Sequence, residues 1–132
     1  MLDGFGVTEA NWRDAVAKNP DFAESETPAY VGRAVVALAA DENVAAKAGK
    51  VCSSWTLARE YGFRDTDGRQ PDWGAYFERM VNAILDRGGP SNRDEQLRVW
   101  SRHEQIRNDP KYAEETARLA AALNRAGVSI LP

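Results

Sequence analysis

The sequence contains one histidine, His103, which stands next to Glu104 on a predicted helix. An imidazole oriented by a carboxylate can act as a general base in catalysis. Side chains of adjacent helical residues point about 100° apart, however, so Glu104 is expected to be badly placed to orient the ring. The sequence therefore favours an ordinary packed or surface histidine, and the catalytic residues stay unknown.

The composition offers few ligands for a metal ion. A single cysteine, Cys52, excludes an internal disulfide, and one cysteine with one histidine are too few soft ligands for a zinc site. The oxygens of Asp65, Asp67 and Asp72 could hold a hard cation, but their spacing lacks the glycine and distal glutamate of a calcium loop. We expect no metal site, and we interpret Cys52 as a small buried apolar residue.

Arginines at positions 93, 98, 102 and 107 alternate with acidic residues. Such mixed charge is typical of a solvated helix face with ion pairs one turn apart. The net charge of −3 also disfavours polyanions as partners. We therefore expect binding to neither nucleic acid nor a membrane surface.

A chain of 132 residues, 43% hydrophobic and 28% charged, suits one compact soluble domain. The longest apolar stretch, residues 31–40, is far shorter than the roughly 20 residues that span a bilayer. The first residues show no basic region followed by an apolar run, so we expect a cytoplasmic location. Four tryptophans are many for this length, and most are expected to anchor the core or an interface.

Helical patterns dominate the chain. Thr27-Pro28 predicts a helix start, and apolar residues follow at helical spacing up to Ala39. Residues 50–54 are the only convincing strand candidate. After a polar loop at 64–73, three helical patterns follow, the second of them capped by Asn92. We predict a mainly α fold with at most one short strand, in which segments 1–71 and 72–132, the latter a three-helix extension, form one compact domain.

Residues from about 2 to 71 resemble the C-terminal part of the short-chain dehydrogenase/reductase family. Three stretches carry the resemblance: residues 27–41 (TPAYVGRAVVALAAD), 48–63 (AGKVCSSWTLAREYGF) and 67–71 (DGRQP). They are similar to the proline-led last helix and the last strand of the family. Residues 4–12 (GFGVTEANW) resemble the mobile segment that covers the substrate in those enzymes.

The sequence also departs from the family. It contains no glycine-rich dinucleotide-binding turn, and Gly4 and Gly6 do not lie between a strand and a helix. The catalytic Tyr-x-x-x-Lys pair of the family is missing as well. We expect no cofactor and no self-sufficient NAD(P)-dependent dehydrogenase, while enzymatic activity of another kind stays open. The four tyrosines and the residues four positions after them are Tyr30 and Ala34, Tyr61 and Asp65, Tyr76 and Met80, and Tyr112 and Thr116.

In the family, the matching helix and strand usually form a two-fold subunit interface. An isolated strand at 50–54 would expose unpaired backbone groups, which favours pairing with another chain. We therefore expect a homodimer or a complex with another protein, and we interpret the chain as a non-catalytic, dehydrogenase-derived oligomerisation or partner-binding protein. The expected interface residues are Val31, Val35, Leu38, Val51 and Trp55.

Two alternatives stay open. Trp12, Phe22 and Tyr30 lie in or beside the segment that resembles a substrate lid, so they could line a pocket for an apolar small molecule. The added helices would complete this pocket in a small enzyme or ligand-binding protein. The chain could also complete an active site that belongs to a separate Rossmann-type protein.

Overall fold

The computed structural model describes residues 2–130 and is mainly helical, as the sequence predicted. Short 3₁₀ helices precede and connect the longer elements. No helix in residues 2–130 combines the length and apolar character needed to cross a membrane. The α-helices are α1 (Pro28–Ala40), α2 (Ser54–Tyr61), α3 (Trp73–Asp86), α4 (Arg93–Ile106) and α5 (Ala113–Arg125), and the 3₁₀ helices are Leu2–Phe5, Trp12–Ala17, Pro20–Glu24, Val44–Lys47 and Pro110–Tyr112.

The strand considered for residues 50–54 is not formed, and no strand occurs among residues 2–130. Residues 50–53 form a loop that leads into α2. The hydroxyl of Ser53 accepts a hydrogen bond from the backbone N–H of Thr56 at 3.2 Å, which caps α2. This cap starts a helix where the sequence pattern allowed a strand, so Trp55 lies on a helix and Val51 is fully exposed.

The chain divides into two compact units, Met1–Gly74 and Ala75–Pro132. The first unit depends on Asp65, a carboxylate that is only 2% exposed. It accepts hydrogen bonds from the Thr27 backbone N–H at 2.8 Å and the Thr27 hydroxyl at 2.5 Å. The backbone N–H of Thr66 donates a third, at 2.7 Å. Thr27 thus starts α1 as expected, but its hydroxyl binds Asp65 instead of capping its own helix.

The loop that carries Asp65 is tied to both helices of this unit. The hydroxyl of Tyr30, on α1, donates to the backbone oxygen of Pro71 at 3.0 Å. The side-chain amide of Gln70 donates to the backbone oxygens of Ala58, on α2, and Phe63, at 2.9 and 3.1 Å. Because these donors and acceptors lie far apart in sequence, the loop fixes how α1 packs against α2.

Arginine 69 ties the same loop to residues 23–25. Its guanidinium donates to the backbone oxygens of Ala23 at 2.6 Å and Ser25 at 3.1 Å. Asp67 orients this guanidinium through a 2.8 Å ion pair and also pairs with Arg13. The hydrogen bonds from Arg69 and Arg13 lower the pKa of Asp67 to about 2. Residues 64–71 therefore hold the chain segment that leads into α1.

In the second unit, helical residues of α3, α4 and α5 share one apolar core. The cap predicted at Asn92 is confirmed, because its side chain accepts from the Glu95 N–H at 3.0 Å. Arg87, and then Ser91, hydrogen-bond the carboxylate of Glu95 and lower its pKa to about 2. The buried residues of this core are Val81, Ile84, Val99, Ile106, Leu119 and Leu123.

We predict that Leu119→Ala destabilises this core by about 2–5 kcal/mol, since it leaves a cavity where the leucine is fully buried. Leu97→Ala, at a leucine that is 53% exposed on α4, is the matched control and should change the free energy of unfolding by less than about 1 kcal/mol. Urea unfolding followed by circular dichroism measures both. Equal effects of the two substitutions would contradict the core assigned here.

We further predict that Asp65→Asn destabilises the first unit at neutral pH by about 1–3 kcal/mol, because Thr27 and Thr66 lose a charged acceptor. Burial acts to raise the pKa of Asp65, but the hydrogen bonds from Thr27 and Thr66 outweigh it and lower the pKa below 3.8. A lowered native pKa stabilises the fold above the ordinary value, and this stabilisation is lost as the pH falls through the native pKa. The difference from the wild type should therefore shrink below about pH 4. Asp3→Asn, at an exposed aspartate, is the control, and a pH-independent difference for Asp65→Asn would refute the role of its charge.

Candidate ligand-binding cleft

The first unit contains an open cleft of about 560 Å³. Aromatic rings and carboxylates line it together. This combination can hold an apolar body and a polar or charged group at the same time. The lining residues are Phe5, Asn19, Asp21, Phe22, Glu24, Ser25, Glu26, Trp55 and Trp73.

The 3₁₀ helix Pro20–Glu24 places Phe22 in the cleft. Its start is fixed by Pro20 and by the side chain of Asn19, which accepts from the backbone N–H of Asp21 at 3.0 Å. Phe22 is 9% exposed and packs edge-on against Phe5, with 4.5 Å between ring centroids. One side of the cleft is therefore a fixed aromatic pair.

Two tryptophans form another side. The Ser53 cap sets the first turn of α2 and with it Trp55, while Trp73 is the first residue of α3. A Cβ atom added to Gly74 would lie 2.8 Å from Nε1 of Trp55, so this indole rests directly on a glycine backbone. Trp55 can take this position only because residue 74 has no side chain, so Gly74 helps to shape the cleft.

The carboxylates of Glu24 and Glu26 each accept from a neutral donor. Ser54 donates its hydroxyl hydrogen to Glu26 at 2.6 Å, and the backbone N–H of Asp72 donates to Glu24 at 3.2 Å. Within the described part of the chain, neither glutamate forms an ion pair with lysine or arginine. The negative field extends to the buried Tyr30, whose pKa is raised first by burial and then by Glu26.

A second cleft, of about 380 Å³, shares Phe22 and Glu26 with the first and adds Trp12. The indole of Trp12 already contacts two cations, with the guanidinium carbons of Arg13 and Arg69 at 4.6 and 5.6 Å from its ring centroid. The face of this tryptophan is therefore occupied by the protein itself.

Among the predicted ligand-binding residues, the structure brings Trp12 and Phe22 together in the second cleft. It does not bring Tyr30 there. Tyr30 is fully buried, packs against Phe63 at 5.2 Å between ring centroids and hydrogen-bonds Pro71. Its hydroxyl is used for structure, which its helical position in the sequence did not reveal.

The predicted interface residues lie in different surroundings. Val31 and Val35 are 47% and 60% exposed on one face of α1, and Leu38, one turn further on, is half-buried. Val51 is exposed in the loop before α2. Trp55 is half-buried and lines the first cleft.

His103 is buried, and its Nδ1 lies 3.3 Å from Oε1 of Glu104. The expectation that Glu104 is badly placed to orient the ring was therefore wrong, since the two side chains lie within hydrogen-bond distance. His103 also borders a cavity of about 520 Å³ with Arg107, Asn108 and Thr116. A base at this position would have the imidazole and carboxylate pairing that general-base chemistry uses.

The three aspartates considered as cation ligands, Asp65, Asp67 and Asp72, each bind different residues of the protein. Asp65 binds Thr27, Asp67 binds Arg69 and Arg13, and Asp72 forms an ion pair with Arg59 at 3.1 Å. In residues 2–130, no three histidine, cysteine, aspartate or glutamate side chains are grouped so that they could hold a metal ion. Cys52 is a free, half-buried thiol.

Two of the arginines at the positions singled out, Arg98 and Arg107, form ion pairs one helical turn apart, as the mixed charges predicted. Asp94 binds Arg98 at 2.7 Å, and Glu104 binds Arg107 at 3.2 Å. Glu115 binds Arg102 at 2.7 Å. These pairs place arginine charge against carboxylates of the same unit.

Sequence reasoning missed most of the first cleft. Phe5, Glu24, Glu26 and Trp73 were not singled out as ligand-binding residues. One local signal was available: three acidic residues at 21, 24 and 26 surround Phe22 directly before the proline-led helix. The approach of Trp55 and Trp73 to this segment depends on the fold and has no local signal.

Comparisons with known proteins agree with the resemblance over part of the chain. No family model matches. The mouse (Mus musculus) dehydrogenase/reductase SDR family member 1 is 52% identical over 71 residues, which are 52% of this chain and 23% of the mouse protein. The human (Homo sapiens) protein of the same name is 52% identical over 48 residues, 36% of this chain and 15% of the human protein. The chain thus spans less than a quarter of the length of these relatives, and it contains a segment similar to part of an SDR-family dehydrogenase/reductase.

Proposed function

We propose that this chain is a dehydrogenase-derived protein that associates with a second copy of itself through α1 and has no hydride-transfer site of its own. One observation carries this proposal. Val31 and Val35, one helical turn apart, are 47% and 60% exposed on the same face of α1. Single exposed apolar residues are common, but a row of them along a helix is typical of an interaction surface.

The composition of α1 supports a second copy as the partner. Among its 13 residues, Arg33 is the one charged side chain, and Arg33 donates to the backbone oxygen of Arg64 in the same unit. Two copies of an almost uncharged helix can approach without repulsion between like charges. A Cβ atom added to Gly32 would meet only open space, so the backbone of α1 is accessible at that point.

A two-fold contact also agrees with the resemblance to the dehydrogenase family, in which the matching helix usually forms a subunit interface. In such an isologous contact, both copies use the same surface, so Val31 of each copy faces the α1 helix of the other. Val51, outside α1, is a further exposed apolar residue of the first unit. Because similarity covers 23% of the mouse relative, nothing of that protein's whole activity is transferred to this chain.

We predict that Val35→Asp weakens self-association by roughly thirtyfold or more in Kd, because it places an unpaired charge in a desolvated contact. Val44→Asp is the matched control, since Val44 is 43% exposed on the 3₁₀ helix Val44–Lys47, outside α1. Sedimentation velocity over a wide concentration range measures the association of the wild type and both variants. Circular dichroism confirms that the variants fold.

A wild type that stays monomeric at every concentration would refute self-association. A dimer that Val35→Asp leaves intact would refute α1 as its interface. A defined mixed complex with a separate Rossmann-type protein, formed by a monomeric chain, would favour the accessory role over the homodimer.

The first cleft favours a second candidate function, binding of a small molecule. Phe5, Phe22, Trp55 and Trp73 present aromatic surface around about 560 Å³, a size in the range of small-ligand sites. A neutral probe, 4-phenylbutan-1-ol, tests this function. Its addition should shift the indole N–H NMR signals of Trp55 and Trp73 and leave that of Trp100, in the second unit, unchanged. Unchanged signals from all tryptophans with every probe of this shape would exclude the candidate.

A further inference from the structure

We propose that the first cleft selects organic monocations, molecules with a protonated or quaternary amine joined to an apolar body. This inference rests on the ligand-binding candidate above and names the class of its ligand. It follows from three features of the cleft: the charges of Glu24 and Glu26, which form no ion pair with lysine or arginine in the described part of the chain, its aromatic walls and its size.

The charge of the cleft is negative. Asp21, Glu24 and Glu26 line it, and neither lysine nor arginine is among its lining residues. Glu24 and Glu26 receive hydrogen bonds from a backbone N–H and a serine hydroxyl, which are neutral donors. Their negative charge is therefore solvated locally but not neutralised, and it attracts a cation that enters the cleft.

Neighbouring cations of the protein have partners other than the carboxylates of Glu24 and Glu26. The ammonium group of Lys18 donates to the backbone oxygen of Phe5 at 2.6 Å. Arg59 forms its ion pair with Asp72, and Arg69 forms one with Asp67. The first unit therefore supplies positive charge to the surroundings of the cleft but does not direct it onto Glu24 or Glu26.

The aromatic walls favour the same kind of ligand. A cation over the face of an indole or phenyl ring is attracted to the negative face of the ring, most strongly for tryptophan. The first cleft offers two tryptophans and the Phe5 and Phe22 pair. In the second cleft, Arg13 and Arg69 already contact the tryptophan. Because the tryptophan of the second cleft already contacts two arginines, we assign cation binding to the first cleft.

Size and ligand type distinguish an organic cation from a metal ion. Hard metal ions need several oxygen ligands at about 2.0–2.6 Å. No such grouping of acidic residues, histidine and cysteine exists among residues 2–130. A cleft of about 560 Å³ instead accommodates a molecule with an apolar body, whose burial against the rings adds to the electrostatic attraction.

Three probes of one shape and different charge test the proposal: 4-phenylbutylamine, 4-phenylbutan-1-ol and 4-phenylbutanoate. Each is titrated into the full chain while the indole N–H signals of the four tryptophans are followed by NMR, with assignments from Trp→Phe variants. The amine should shift Trp55 and Trp73 and bind at least about tenfold more tightly than the alcohol. The carboxylate should bind most weakly. Added salt should weaken the binding of the amine and of neither other probe.

The double substitution Glu24→Gln with Glu26→Gln removes the charge and keeps the shape of the side chains. It should reduce the affinity for the amine by about tenfold, while the affinity for the alcohol should stay within about twofold of the wild-type value. Glu42→Gln, at an exposed glutamate outside the cleft, is the control and should leave the titrations unchanged. Amine affinity that survives the double substitution would overturn the assigned role of Glu24 and Glu26.

The probes separate failure of this inference from failure of the ligand-binding function. Equal binding of amine and alcohol at Trp55 and Trp73 would overturn the selection of cations and keep the cleft as a ligand site. Preferred binding of the carboxylate would do the same. If none of the three probes shifts these signals, both the inference and the ligand-binding candidate fail, while self-association through α1 is untouched.

Discussion

The first unit depends on one buried carboxylate, Asp65. Burying a charge is costly unless hydrogen bonds compensate for it, and here the N–H groups and hydroxyls of Thr27 and Thr66 provide the compensation. The charge also lies at the N-terminus of α1, where the helix dipole favours an anion. The same group thus fixes the start of α1 and anchors the loop at residues 64–71. One side chain therefore contributes both to a local helix start and to the packing of distant segments.

Both candidate functional surfaces follow from this anchor. Arg69, in the anchored loop, holds the backbone of Ala23 and Ser25, and these residues alternate with the acidic side chains of the cleft. Thr27, held by Asp65, begins the helix whose valines are exposed. The acidic side of the cleft and the exposed valines of α1 therefore belong to one continuous stretch, residues 21–40, that a single loop fixes in position.

Local rules predicted much of the secondary structure and little of the site. The proline after Thr27 and the Asn92 cap act within one helical turn, so both helix starts could be predicted from neighbouring residues. The partner of Thr27 is Asp65, 38 residues away, and no local pattern links them. The same limit applies to the cleft, since Trp55 and Trp73 meet the segment around Phe22 only in the folded chain. At residues 50–54, β-forming residues competed with a serine cap, and without a neighbouring strand the cap decided the outcome.

The exposed side of α1 and the acidic side of the cleft depend on opposite physical effects, so neighbouring parts of one short stretch can contribute to each. The exposed side of α1 is almost uncharged and suits contact with another apolar surface, where desolvating a charge would be unfavourable. The cleft before it concentrates carboxylates beside aromatic rings, where a charge on the ligand is attracted instead of excluded. The proline at position 28 marks the change between them: acidic residues precede it and small or branched apolar residues follow it. Because the side chains of Glu24 and Val35 do not take part in the Asp65 anchor, each surface can be altered by substitution while the anchored loop keeps the fold.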